Sequence, residues 1–271
     1  MRVTNPALEQ ARIEATAMML IEEHAAGKPF HSIAEERGIR DLETAYKIQE
    51  AVVRRLRARE HAEPRGFKIG LTSKKMQEMC GIDSPVAGYV LENRVYESGI
   101  VLDSTRYGRL GVEFEVAVLM ERDLPFRTRP YTPEEVGTAV SAVAPGVEVI
   151  DDRNADYTNK LDVLSLIADN SWNEGVVHGP WVSPPSDLGS VEAFVTCDGA
   201  EIGRGFGRDA LGHPFIPLAW LANHQAKTER PLKAGDVVMT GSVVRTQFPA
   251  GSCRYRYELG NVGVVEVAVR G

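Results

Sequence analysis

The sequence predicts an α+β fold, and three observations lead there. Apolar residues recur at helical spacing through the first 60 or so positions. From Gly66 onward, short apolar runs are separated by glycine turns. Helices and strands do not alternate one for one, so a doubly wound parallel sheet is not expected. A chain of 271 residues is long enough to bury a large core without disulfides or metal staples. With 43% apolar and 25% charged residues, it is excluded from the disordered, collagen and coiled-coil classes.

The helical part opens at Asn5-Pro6, a capping side chain followed by a ring already set at helical φ. Leu8, Ala11, Ala15, Met18 and Ile21 or Glu22 follow at roughly helical spacing, and Gly27 can end the helix. A second helix starts at Asp41 with the stripe Leu42, Ala45, Ile48, Val52 and Leu56. Gly66–Leu71 reads as a short strand and Ser73–Met79 as a weak helix. Gly111–Met120 is the clearest strand, with Val112, Phe114, Val116 and Val118 alternating against Glu113, Glu115 and Ala117. Thr132-Pro133-Glu134-Glu135 signals a helix start; that helix is expected to carry Val136, Val140 and Val143 and to stop near Pro145-Gly146, before a strand at Val147–Ile150. Further strands are expected near Ala193–Cys197, Asp236–Thr240, Arg254–Glu258 and Val262–Val269, with one helix at about Pro214–Gln225. The one candidate boundary, Ala62-Glu63-Pro64-Arg65-Gly66, divides a helical region (1–65) from a β-rich catalytic part (66–271).

The net charge of −7 argues against a nucleic-acid partner, which would require a basic footprint. Arg54, Arg55, Arg57 and Arg59 read as a solvated helix face beside Glu50 and Glu60. No apolar run approaches the ~18 residues of a membrane span, and no secretory leader pattern opens the chain. Cys80, Cys197 and Cys253 match no zinc or disulfide spacing. A reduced, cytoplasmic protein is expected.

Glu113 and Glu115, two apart on a strand, point to one face of a sheet. Carboxylates so placed repel one another, and a hard divalent cation relieves the repulsion. The same pattern also describes an ordinary solvent face. Glu148, in an apolar setting, is either a third ligand on a neighbouring strand or a lone exposed side chain. Lys68, between Phe67 and Ile69, would have its pKa lowered by desolvation, which suits proton transfer, or would snorkel to water. His213 stands at a helix start. The turn Thr240-Gly241-Ser242 offers N–H groups and hydroxyls to a carboxylate, and Arg245 could grip a second one. Each of these also has a purely structural reading.

Taken in order, several stretches resemble the hydratase/decarboxylase branch of the fumarylacetoacetate hydrolase superfamily: Ala45–Gln49, Gly66–Ser73, Val112–Ala117, Val147–Asp151, Ala168-Asp169-Asn170, Leu211–Pro214 and Thr240-Gly241. They cover the chain from about residue 41 to its end. The resemblance implies a mostly antiparallel β-roll with an N-terminal helical part, acting in the lower meta-cleavage pathway of aromatic degradation. It implies Mg²⁺ or Mn²⁺ held by Glu113, Glu115 and Glu148, and Lys68 as acid/base. It implies an unsaturated 2-oxo acid as the small-molecule substrate, bordered by Leu71, Val86, Ser165, Asn170, Ser242 and Arg245. It further implies a homo-oligomer and leaves open a complex with a related hydratase.

Two activities compete within the branch. Hydratases add water to a 2-hydroxydienoate and carry Asp where this chain has Val86; they also tend to carry Asp where it has Ser165. Decarboxylases remove CO₂ from 2-oxo-3-hexenedioate (4-oxalocrotonate) and carry an aliphatic residue at the first position. Val86 therefore favours the decarboxylase. The stretch Ser242–Arg245 resembles hydratases of a 2-oxohept-4-ene-1,7-dioate type. A non-catalytic partner subunit and a carbon–carbon hydrolase are more distant alternatives.

Overall fold

The computed structural model describes residues 6–158 and 161–271. The cap expected at Asn5 lies outside them. Helices α1 (Pro6–Ala25), α2 (Ala34–Arg37) and α3 (Leu42–Glu60) come first. Then follow β1 (Pro64–Gly70), α4 (Lys74–Cys80), β2 (Val86–Leu91), β3 (Val95–Glu97), β4 (Ile100–Asp103), β5 (Leu110–Met120), α5 (Pro133–Gly137) and β6 (Val140–Asp151). The last part runs α6 (Val163–Ala168), β7 (Asn173–His178), β8 (Glu192–Cys197), β9 (Ala200–Phe206), α7 (Phe215–Gln225), β10 (Val237–Gln247), β11 (Cys253–Leu259) and β12 (Gly263–Arg270).

Among the described residues the strands form two sheets, ordered β2-β1-β10-β5-β6-β7-β3 and β4-β12-β11-β8-β9. Pairing is antiparallel except at β1–β10, β3–β7 and β4–β12. The α+β class and the mostly antiparallel character are as the sequence predicts. Period-2 alternation on β5 explains how the layers stack. Val112, Phe114, Val116 and Val118 face the second sheet, where Phe114 packs edge-on against Tyr255 and Tyr257. Gly111, Glu113 and Glu115 must therefore face the opposite way. An apolar cluster from α1, α3, α6, Leu71, Val86 and Ile150 stands apart from the inter-sheet core. No helix of the described residues is long and apolar enough to cross a membrane.

Helix starts agree well with the sequence. Asp41 caps α3 by accepting the Thr44 N–H at 2.7 Å, and Ser73 caps α4. Two expectations are corrected. The buried face of α1 is Ile13, Thr16, Ala17, Leu20 and Glu23, whereas Leu8 and Met18 are exposed. Thr16 and Glu23 can be buried because Thr16 donates to the Arg12 carbonyl and Glu23 meets Lys28 and His31, so polarity conceals the inward face. Val140 and Val143 lie on a strand, since α5 ends at Gly137 and the β6 ladder with β5 runs from Val140 through Pro145 to Asp151. Of the arginine group on α3, Arg54 and Arg55 are not merely solvated: both engage Glu14 of α1.

Arg153, 1% exposed, fastens the helical layer to the end of β6. It donates to Asp169 at 2.6 Å and to the Lys28 carbonyl at 3.0 Å, and Glu23 lies 3.7 Å away. His24 of α1 also meets Asp169, at 2.7 Å. Removing one partner of a buried pair leaves the other charge uncompensated. Arg153→Met is expected to lower unfolding stability by about 3 kcal/mol, read as a lower urea midpoint with an unchanged slope.

Candidate metal centre

Glu113 and Glu148 are direct cross-strand partners on β5 and β6, and Glu115 follows on the same face of β5. One carboxylate oxygen from each lies within 4.8 Å of the others. Glu115 and Glu148 are fully buried, while Glu113 is partly open. A different element anchors each group. The Gly241 N–H of β10 donates to Glu115 Oε2 at 2.7 Å, Asn173 Nδ2 of β7 to Glu148 Oε1 at 2.9 Å, and Thr246 Oγ1 of β10 to Glu113 Oε1 at 2.6 Å. Lys68 of β1, 4% exposed, sets its ammonium 3.2 Å from Glu148 Oε1.

Two atoms complete this pattern. Glu115 Oε1 and Glu148 Oε2 are buried and have no hydrogen-bond partner among the described residues. A buried acceptor left so is costly. An all-oxygen set with two unfilled acceptors fits a hard divalent cation, and the cluster could hold one.

Burial raises Glu115 well above the ordinary carboxylate range, reinforced by the charges of Glu148 and Glu113. Burial also pushes Glu148 up, to about 7, against the pull of Lys68. For Lys68, burial acts downward, but the charges of Glu148, Glu113 and Glu115 outweigh it and raise the ammonium. The lowered pKa expected from an apolar neighbourhood is thus reversed by three carboxylates from strands that sequence reading treats separately.

Val86 stands beside Lys68. A methyl group built on Gly70 would lie 3.2 Å from Val86 Cγ2 and 3.3 Å from Lys68 Nζ. Leu71 follows at a positive φ of 56°, and its carbonyl accepts from Gln77. Asn170 is near the Lys68 stem: a Cβ on Gly88 would touch both the Asn170 carbonyl and Lys68 Cγ. Its side chain, however, is occupied by the backbone of Tyr89. Ser165 is buried, accepts from Ile33 N at 2.8 Å and donates to Asp162, so its hydroxyl serves helix packing. Ser242 pairs with Glu115 across the ladder, but its hydroxyl donates to the Val244 carbonyl. Arg245 is exposed and has no ion-pair partner among the described residues. His213 accepts from the Phe215 N–H at the start of α7. The Thr240–Ser242 segment does offer an N–H to a carboxylate, and that carboxylate is Glu115.

Sequence reasoning missed Asn173 and Thr246, since neither residue carries a motif. Asn173 also lines a cleft of about 310 Å³ with His24, Arg94, Asp169 and Glu174.

The family model for the fumarylacetoacetate (FAA) hydrolase C-terminal region matches residues 71–270. The chain belongs to the fumarylacetoacetate hydrolase family. Its relatives put it in the hydratase/decarboxylase branch. It is 31% identical to a 2-keto-4-pentenoate hydratase of Burkholderia vietnamiensis, over 85% of this chain and 87% of that one. It is 27% identical to a 4-oxalocrotonate decarboxylase of a Pseudomonas species, over 96% of this chain and 99% of that one. The fold is shared with 4-oxalocrotonate decarboxylase from Pseudomonas putida G7, solved with magnesium and adipate. The TM-score is 0.87 at 24% identity, covering 96% and 98% of the two chains.

Raised carboxylate pKa values mean that the folded chain keeps protons the unfolded chain has released. The free energy they contribute is fully present below the ordinary 4.5 and is lost as pH rises through the folded-state values, about 7 for Glu148 and also raised for Glu115. In chelator, stability is expected to fall across pH 4.5 to 7. The double variant Glu115→Gln, Glu148→Gln should show a smaller fall, measured by denaturant unfolding at each pH.

Proposed function

We propose that the chain is a divalent-metal-dependent carbon–carbon lyase that decarboxylates an unsaturated 2-oxo dicarboxylic acid of the 2-oxo-3-hexenedioate type. The observation that carries the reading is that Val86 and the Lys68 ammonium border the same point, the space beside Gly70, at 3.2 and 3.3 Å. Water addition needs a polar group there to orient and deprotonate water, and an isopropyl group supplies none. Ser165, with its hydroxyl committed to Ile33 and Asp162, does not replace it.

Glu113, Glu115 and Glu148 would hold the cation, and their oxygen-only character suits Mg²⁺ or Mn²⁺. When bound, the ion supplies a Lewis acid toward the C1 carboxylate and C2 oxygen of a 2-oxo acid. Gly241, Asn173 and Thr246 keep the three carboxylates oriented, as outer-shell donors do. Loss of CO₂ breaks the C5–C6 bond, and its electron pair passes through C4 and C3 to the C2 oxygen, giving a 2-hydroxypenta-2,4-dienoate. The Lys68 ammonium is suited to hold the charge that develops at that oxygen and to give it a proton. Val86 and Leu71 keep water from the reacting atoms. The names of the relatives, hydratases and decarboxylases of such acids, support the substrate class. The intact lysine and carboxylate set supports an enzyme over a non-catalytic partner.

A second reading is a 2-hydroxydienoate hydratase, favoured by the several hydratases at about the same identity. Incubation with Mg²⁺ and 2-oxo-3-hexenedioate, with CO₂ release followed beside water addition to 2-hydroxypenta-2,4-dienoate, separates the two. Hydration without CO₂ release would overturn the decarboxylase. Glu115→Gln is expected to abolish metal-dependent turnover with an unchanged circular dichroism spectrum. Val86→Asp is expected to introduce hydration product, detected by chromatography.

A further inference from the structure

We infer that Ile150, Tyr157, Trp172 and Phe248 form a distal subsite, which takes the end of the substrate remote from the 2-oxo group and uses the Trp172 indole N–H as its hydrogen-bond donor. The inference rests on the decarboxylase reading above and deepens it.

The row of carboxylates runs directly into this surface. Gly111 precedes Glu113 and Glu115 on the same face of β5, and Ile150 lies opposite Gly111, two residues beyond Glu148. A Cβ on Gly111 would lie 2.7 Å from Ile150 Cγ1 and 3.0 Å from Phe248 Cε1. At the next position on this face beyond the Glu113–Glu148 pair, the chain presents two apolar side chains and a glycine that leaves room for them. Phe248 follows two residues after Thr246, the anchor of Glu113. The Tyr157 ring links the wall, 6.4 Å from Phe248 and 6.2 Å from Trp172.

Ile150 and Trp172 belong to the apolar cluster under the helices, and two features mark the side of it that carries Tyr157 and Phe248 as a binding surface. Tyr157 and Phe248 are 37% and 39% exposed, beside the one carboxylate of the cluster that is itself partly open. Trp172 is 6% exposed, yet its indole N–H has no acceptor among the described residues. Buried indole donors usually find a partner. The backbone that carries it is also unusual: Asn170, Ser171 and Trp172 hold successive φ values of 49°, 50° and 63°. Non-glycine residues adopt this region at a cost, and such strain collects at ligand sites.

Among the described residues the wall brings no free cation. Arg109 lies over the Phe248 and Tyr157 rings at 4.7 and 5.6 Å, but its guanidinium is occupied by Asp152 and by the Ala155 carbonyl. A carboxylate in the subsite would meet aromatic rings and one N–H. That environment solvates the anion poorly and favours its departure as neutral CO₂, with the bonding pair left to the conjugated 2-oxo chain and no external oxidant or reductant required.

The test is calorimetric, on the full chain with Mg²⁺ present, using oxalate, 2-oxohexanoate and 2-oxoadipate as probes. Trp172→Phe keeps a ring and removes the donor. It is expected to weaken 2-oxoadipate by about tenfold, the scale of one hydrogen bond to a charged group, and to leave oxalate and 2-oxohexanoate within about twofold. Phe248→Ala is expected to weaken both six-carbon ligands relative to oxalate. Should Trp172→Phe fail to fold, Phe248→Ala and Tyr157→Leu, both at solvent-facing positions, decide by the same comparison. Unchanged affinities for the six-carbon ligands, with oxalate bound normally, would overturn the subsite alone. No oxalate binding to the unmodified chain would overturn the metal-dependent reading and the subsite with it.

Discussion

Glu115 and Glu148 have almost no access to water, yet each keeps one oxygen without a hydrogen bond. Around that costly arrangement the nearby architecture is organised. β5 and β6 must sit in the register that sets Glu113 against Glu148, and β10 must approach closely enough to give its Gly241 amide to Glu115. Gly241 has φ of +109°, and a Cβ there would fall 2.1 Å from the Thr72 hydroxyl. Only glycine meets both the backbone angle and the close packing. Among the described residues, Lys68 supplies the single buried positive charge that meets this group, at Glu148.

The two faces of β5 divide the work of the protein. One face is valine and phenylalanine locked against the second sheet, which holds the strand in place. The other carries the acids. A rigid scaffold on one side thus allows three carboxyl groups to be held together on the other. The helical layer has a separate attachment, through Arg153 and His24 to Asp169, one residue before the strained stretch at Asn170.

Much of this was legible in the sequence, and the parts that were not share a cause. The β5 alternation disclosed both the strand and the common direction of Glu113 and Glu115. Asp41 and Ser73 marked their helices through local capping chemistry. Local pattern failed where burial depends on a distant partner. The inward face of α1 contains Thr16 and Glu23, so hydropathy pointed to Leu8 and Met18 instead. Val140 and Val143 have spacing that fits a helix, and only pairing with β5 makes them strand. Asn173, Thr246, Tyr157 and Phe248 belong to no motif, and their importance comes from what stands beside them in space. The same holds for the charge state of Lys68, set by neighbours on two other strands.

The order in which the chain can assemble is constrained by one further feature. Gly241 and the carboxylate it anchors are 126 positions apart, and Thr246 and Glu113 are 133 apart. β1 also runs parallel beside β10, with most of the sequence lying between them. Contacts of such long range spend loop-closure entropy before they return any pairing energy, which slows their formation. A nascent or truncated chain that lacks its C-terminal strands would have the acids but not the donors that orient them. Competence of the centre therefore waits on β10, which must reach back across 126 positions to pair with β5 and orient Glu115.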